Sequence, residues 1–248
     1  MSSTSKSFKT QTELEVGKRI EELFLNSPET IETKLETFTK YVRRQPMKRF
    51  LSMYELFKMV LPVKGSIVEG GVHRGFGLMA WAKLSAILEP ENIFRRIYGF
   101  DTFSGFPSVS ETDRRGAGPA EVGHFKVDVF EELQELIGEH DRDRLLGHVE
   151  KVELIRGDAC ETIPRFVDER RHLLVSLLFL DFDLYEPTKT ALQSFVGRMP
   201  KGAVLAFDQL DHPFWPGETL ALLENLPINK TAIRRFDWDP YISYMIIE

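Results

Sequence analysis

The chain has 248 residues, 42% of them apolar and 28% charged, which is enough to bury a substantial core and ordinary for a folded, water-exposed protein. A net charge of −6 with no Lys/Arg-rich block opposes a nucleic-acid partner, which needs a basic face to displace counterions. A single cysteine, Cys160, excludes an intrachain disulfide and a thiolate zinc cluster; no stretch approaches the ~20 apolar residues of a membrane span, and MSSTSKSFKT at the start lacks the apolar segment of a secretory signal, so a cytoplasmic protein without membrane attachment is expected.

Residues 1–12 are polar and rich in Ser and Thr, which predicts a mobile end. From 13 to 61 apolar residues recur at helical spacing (Leu14, Ile20, Leu23 and Phe24, then Phe50, Met53, Tyr54, Phe57 and Val60), with no strand pattern between them. These helices read as a cover for a sheet, with a contribution to a binding site or to a subunit contact in a homo-oligomer as the alternative. A turn at 62–65 leads to a first strand at 66–69, a glycine-rich stretch at 69–75 and an apolar helix at 78–88. The second strand, 96–100, ends on Asp101. After it, 102–124 is rich in Gly, Pro, Ser and charge; a connection that long inside a compact domain reads equally as a binding loop or lid and as disorder.

A helix at 127–137 precedes a third strand at 149–156 and a short helix at 160–169. Residues 173–181, LLVSLLFLD, are apolar without alternation, the pattern of a strand covered on both faces. A helix at 186–198, a fifth strand at 203–207, a helix from 216 to 225 and two strand-like stretches at 231–236 and 241–247 complete the chain. No internal repeat or linker marks a second domain. Five strand–helix units followed by two strands predict an α/β fold: a three-layer, Rossmann-like, mostly parallel sheet of seven strands with an antiparallel C-terminal strand, on one core spanning 62–248.

Ligands of such sheets collect at the carboxyl ends of the strands, and acids stand at five of those ends: Glu69, Asp101, Asp158, Asp181 and Asp208. In Glu69-Gly70-Gly71-Val72-His73-Arg74-Gly75, Gly70 and Gly75 match the outer glycines of the dinucleotide fingerprint, but Val72 occupies the middle one, so a pyrophosphate is a poor fit. Asp101 suits the two hydroxyls of a ribose, with Thr102 and Phe103 beside it. Asp158, followed by Ala159, reads equally as an acceptor for an adenine amino group and as the N-cap of the next helix. Asp181, Asp208 and Gln209 supply two carboxylates and an amide oxygen, hard donors that suit Mg²⁺; the alternative is that the aspartates cap loops and helices. Asp183 reads as a helix cap, Glu218 as a complement to a helix dipole, Trp81 as core, and Trp215 and Trp238 as faces on which a sugar can stack. His73 and His212 are candidate proton acceptors.

The acid-x-Gly-x-x-x-Gly turn resembles the first-strand motif of class I S-adenosylmethionine (SAM) methyltransferases. IVEGGVHRG, GFDTFSGFP, LDFDLYEPTKTAL and MPKGAVLAFDQL, in this order over 65–218, resemble the macrocin O-methyltransferase family more specifically. The resemblance implies a class I methyltransferase fold and SAM- and Mg²⁺-dependent methylation of a sugar hydroxyl. It also implies cofactor contacts at Glu69, Gly70, Gly71, Gly75, Asp101, Thr102, Phe103, Asp158, Ala159 and Asp181. Metal binding would fall to Asp181, Asp208 and Gln209, with a general base at or near Asp181; His212 is the base that the residues themselves offer beside it. The family reads Asp-Asp where this chain has Asp208-Gln209, and an uncharged amide at the second position lowers the expected affinity for Mg²⁺. A methyltransferase for a phenolic diol and a SAM-binding module without activity are the rival readings. No Asn/Asp-Pro-Pro-Tyr box of the nucleic-acid methylases is present.

Overall fold

A strand that is apolar on both faces must lie between two layers of helices, and the run from 173 to 181 does so. In the computed structural model, which describes residues 10–118 and 120–248, the chain forms two units, Met1–Arg49 and Phe50–Glu248. In the first unit, helix α1 (Gln11–Asn26) starts at a capping box. The Thr10 hydroxyl accepts from the Glu13 N–H at 3.2 Å, and the Glu13 carboxylate accepts from the Thr10 N–H at 3.0 Å. The expected mobile end at 1–12 therefore stops earlier: Gln11 and Thr12 are helical, and residues 1–9 lie outside the described residues. Helix α2 (Ile31–Glu36) follows, and Tyr41 meets the edge of Phe24 with ring centres 5.0 Å apart.

Helix α3 (Arg44–Val60) runs on into the second unit, and the division between units falls inside it, not at 61/62 as the sequence pattern suggested. The reason is its last three turns: Met53, Leu56, Phe57 and Val60 are fully buried in the same apolar layer as Ile67 and Phe179 of the sheet. The sheet comprises β1 (Ser66–Gly70), β2 (Ile97–Asp101), β3 (Val152–Arg156), β4 (Val175–Leu180), β5 (Val204–Phe207), β6 (Arg234–Phe236) and β7 (Asp239–Ile246). Their order is β3-β2-β1-β4-β5-β7-β6; the first five are parallel and β7 runs antiparallel to both of its neighbours, as expected.

Helix α4 (Phe76–Leu88) joins α3 on one face of the sheet, where Trp81 packs between Phe57 and Phe179 at 6.5 and 5.7 Å. A single turn, α5 (Glu111–Arg114), interrupts the long connection after β2, and α6 (Phe130–Asp143) adds Leu133 and Ile137 to the same layer. Helices α7 (Ala159–Glu169), α8 (Tyr185–Phe195) and α9 (Gly217–Asn225) cover the other face through Phe166, Phe195 and Leu222. Along β4, Leu177 and Phe179 face the first layer while Leu178 and Leu180 face the second, which explains why its sequence shows no alternation. At the amino-terminal rim the buried Arg95 donates to the carbonyls of Val60, Val63 and Gly65 and pairs with Glu89 at 2.9 Å, tying α3 to the starts of β1 and β2. Among the described residues no helix is long and apolar enough to cross a membrane.

If the end of α3 belongs to the sheet's core, Phe57→Ala should lower the stability of the whole second unit by about 3–5 kcal/mol, read as one cooperative shift in chemical denaturation. A loss below about 1 kcal/mol would show that α3 is only loosely attached.

Candidate active site

The strand order reverses direction between β1 and β4, and the carboxyl ends of the strands on either side of such a switch open a crevice. A cavity of about 310 Å³ lies there, lined by residues that follow β1, β2, β3, β4 and β5. At its floor the two central strands touch. The Asp181 N–H donates to the Gly70 carbonyl at 2.8 Å, and a β-carbon on Gly71 would stand 1.9 Å from the Asp181 carbonyl oxygen. With φ at +85° as well, position 71 accepts only glycine, and the backbone there lies open to the cavity.

On the β2 side, Asp101 organises the turn. One carboxylate oxygen accepts from the Phe103 N–H and the other from the His73 N–H, both at 2.7 Å, and both donors have positive φ. Asp101, Thr102 and Phe103 line the cavity, although the Phe103 ring is buried against Phe130. Asp158 is the N-cap of α7, its carboxylate accepting from the Cys160 N–H at 2.9 Å, and with Ala159 it lines the cavity. Glu69, Gly70 and Gly75 are not among its lining residues. Glu69 is buried with its carboxylate where a side chain on Gly77 would stand, Gly70 packs under the Phe182 ring, and Gly75 packs against Leu133.

On the other side, strand pairing carries on past Leu180 and Phe207, with the Asp208 N–H donating to the Leu180 carbonyl at 2.9 Å. Asp181 and Asp208 therefore leave adjacent strands, whose spacing is about 4.8 Å, side by side. Both line the cavity with Gln209. The Gln209 amide nitrogen donates to Asp183, which leaves its oxygen as the end open to a cation. No group of three or more His, Cys, Asp or Glu side chains is arranged to hold a metal among the described residues. Two carboxylates and one amide oxygen nevertheless fit Mg²⁺, which keeps several waters and needs few protein ligands.

Two residues here depart from the sequence reading. Asp183 does not cap α8: the residue before that helix is Leu184, and the Tyr185 N–H at its start is taken instead by the Asp113 carboxylate at 2.8 Å, from 72 positions earlier. Asp183 has φ of +61° and lines the cavity. Glu218 is wholly buried in the first turn of α9. One of its oxygens accepts from the Asp183 N–H at 3.1 Å, and the other has no hydrogen-bond partner. Burial, followed by the nearby charges of Asp183, Asp181 and Asp208, holds its carboxyl well above the usual range.

The connection after β2 is a structured wall, not a disordered one. The Ala117 N–H donates to the Pro213 carbonyl at 3.0 Å and the Gly118 N–H to the Phe214 carbonyl at 3.1 Å, joining it to the loop that follows β5. A side chain on Gly116 or Gly118 would meet the Phe214 carbonyl oxygen at 2.5 Å, so this junction needs two small residues. Phe106, Phe125 and Trp215 meet above it with ring centres 5.6 to 5.9 Å apart and face the cavity. Trp81 is core, as expected, and Trp238 stacks on Phe236 and donates to Ser52, away from the cavity. His73 lines the cavity on the Asp101 side, where burial depresses its pKa. His212 does not line it. Its Nδ1 accepts from the Phe214 N–H at 3.3 Å, which puts the proton of the neutral ring on Nε2, and burial depresses its pKa further. It is a poor proton acceptor.

With this geometry the relatives agree. Residues 42–220 match the family model described as macrocin-O-methyltransferase (TylF). The solved structure of CalS11, a calicheamicin methyltransferase, is 37% identical and superposes with a TM-score of 0.93, covering 97% of this chain and 94% of that one. An apo structure of CalS11, described as a TDP-rhamnose 3'-O-methyltransferase, is 32% identical with a TM-score of 0.84 over 99% of both chains. The O-methyltransferase NovP shares the fold at 21% identity and a TM-score of 0.56, over 81% of this chain and 79% of its own. No curated protein matches the chain by sequence. The chain belongs to the macrocin-O-methyltransferase family and is an O-methyltransferase of the class I fold.

Proposed function

We propose that this enzyme transfers a methyl group from SAM to a hydroxyl of a sugar, free, nucleotide-linked or carried on a natural product, with Mg²⁺ as a second cofactor. The observation that carries the proposal is one cavity in which an adenosine-type rim (Gly71, Asp101, Asp158) continues directly into a rim of hard oxygen donors (Asp181, Asp208, Gln209). Similarity to a protein described as acting on TDP-rhamnose supports a sugar as the acceptor.

SAM, when bound, supplies a methyl group already activated on a sulfonium. Gly71 lets the backbone approach it without a β-carbon in the way. Asp101 uses one lone pair of each oxygen on the His73 and Phe103 amides and has the others for the ribose hydroxyls. Mg²⁺, when bound at Asp181, Asp208 and Gln209, supplies a positive charge that orients the acceptor and acidifies its hydroxyl. A carboxylate committed to a cation is a weak base, so Asp183, which faces the same cavity outside that ligand set, is better placed than Asp181 to take the hydroxyl proton. Phe106, Phe125 and Trp215 give the acceptor an apolar face and exclude water from it. Bringing the hydroxyl oxygen in line with the methyl group then accounts for most of the rate gain.

Replacing Asp208 with Ala should lower methyl transfer ~100-fold or more while SAM affinity, measured by calorimetry, changes less than ~3-fold. Turnover that survives would remove the metal from the mechanism. Supplied with TDP-deoxysugars and with catechol, the enzyme should methylate the sugars; methylation of catechol alone would transfer the proposal to phenols.

Glu218 gives a test by pH on the chelator-treated protein. Its folded pKa is raised, so above 4.5 and up to that raised value the folded state holds one proton more than the unfolded state, and stability falls as pH rises through this window. Glu218→Gln keeps the acceptor for the Asp183 N–H and removes the titration. The Tm advantage of the variant over the wild type should be larger at pH 8 than at pH 5, by roughly 3 °C or more. An equal difference at both pH values would place an ionised carboxylate at 218.

A further inference from the structure

An amide makes an uncertain metal ligand for a reason that no carboxylate shares. Aspartate presents oxygen whichever way it turns, whereas glutamine has a carbonyl at one end and an NH₂ of nearly the same shape at the other. Half a turn about the last side-chain bond would put two N–H donors against a cation. A chain with Gln209 at this place therefore needs a group that fixes the sense of the amide.

The geometry points to Asp183 as that group: by taking the Gln209 nitrogen it turns the Gln209 oxygen to the ion and makes the glutamine a competent ligand. The inference rests on the metal site set out above. A carboxylate can only accept, so the end of the amide that meets Asp183 must be the nitrogen. Asp183 is itself held in place. It sits two residues beyond Asp181 in a left-handed conformation with φ of +61°, and its N–H is anchored on the fully buried Glu218 at 3.1 Å. The line of contacts runs from Glu218 under the site, through the backbone of Asp183, to the Gln209 side chain beside Asp181 and Asp208. Asp183 is a positioning residue in this role. An aspartate at 209 would have no need of it.

The test is a double-mutant cycle read as Mn²⁺ affinity, from the electron paramagnetic resonance signal of free Mn²⁺, on the full chain. Asp183→Gly removes the carboxylate and suits the left-handed backbone; Asp183→Ala serves if the glycine variant does not fold. Each is made in the natural chain and in one carrying Gln209→Asp. Loss of the negative charge at 183 weakens Mn²⁺ binding in both backgrounds, but loss of orientation weakens it only where residue 209 is glutamine. The expected result is a fold-loss about ten times larger in the Gln209 background. Asp183→Asn, whose carbonyl can still receive the Gln209 nitrogen, should lose similar affinity in both. Equal losses for Asp183→Gly in the two backgrounds would overturn the orienting role while leaving the metal site standing. No Mn²⁺ binding by the natural chain at millimolar concentration would overturn the metal site, and the orienting role with it.

Discussion

Two backbones meet at the centre of this sheet with no room for a side chain between them. Gly71 and the Asp181 carbonyl are in contact, and the Asp181 N–H is bonded to Gly70, so the ends of β1 and β4 are fixed to within the reach of a methyl group. That contact sets where the glycine turn lies and where the Asp181 side chain departs. The two halves of the cavity, one built by the turns after β1 to β3 and the other by those after β4 and β5, keep their spacing because of it. A substitution at 71 would displace both halves at once.

The electrostatics of the acidic side follow from this spacing. Burial, and after it the nearby charges of Asp183, Asp181 and Asp208, raises the pKa of the Glu218 carboxyl. The Glu218 carboxyl accepts the Asp183 N–H, so the rim is braced from below. In the proposed metal site, a cation between Asp181 and Asp208 would lower the repulsion among the three aspartates.

Much of this was legible in the sequence because the central strands are short, apolar and end on acids. Period and strand-end chemistry located β1, β2, β4 and β5 within a residue or two, and four of the five acids, Asp101, Asp158, Asp181 and Asp208, line the cavity, while Glu69 is buried. Asp183 was misread because a cap is inferred from local spacing, whereas the start of α8 is satisfied by Asp113 from a distant loop that no local pattern connects to it. Glu218 reads in the sequence as a complement to a helix dipole; only packing shows that α9 turns its first residues inward. The wall formed after β2 is undecidable from sequence for a similar reason, since its amides are satisfied by carbonyls of the loop after β5. The division between units inside α3 is hidden because one continuous helical periodicity serves both units.

That pairing of loops bears on what an exchange of either segment would do. The wall after β2 and the loop after β5 share main-chain bonds at Ala117 and Gly118, and against the Phe214 carbonyl only glycine fits at 116 and 118. Neither segment is an independent module. Grafting one of them from another enzyme without changing the other would leave orphaned amides or a steric clash.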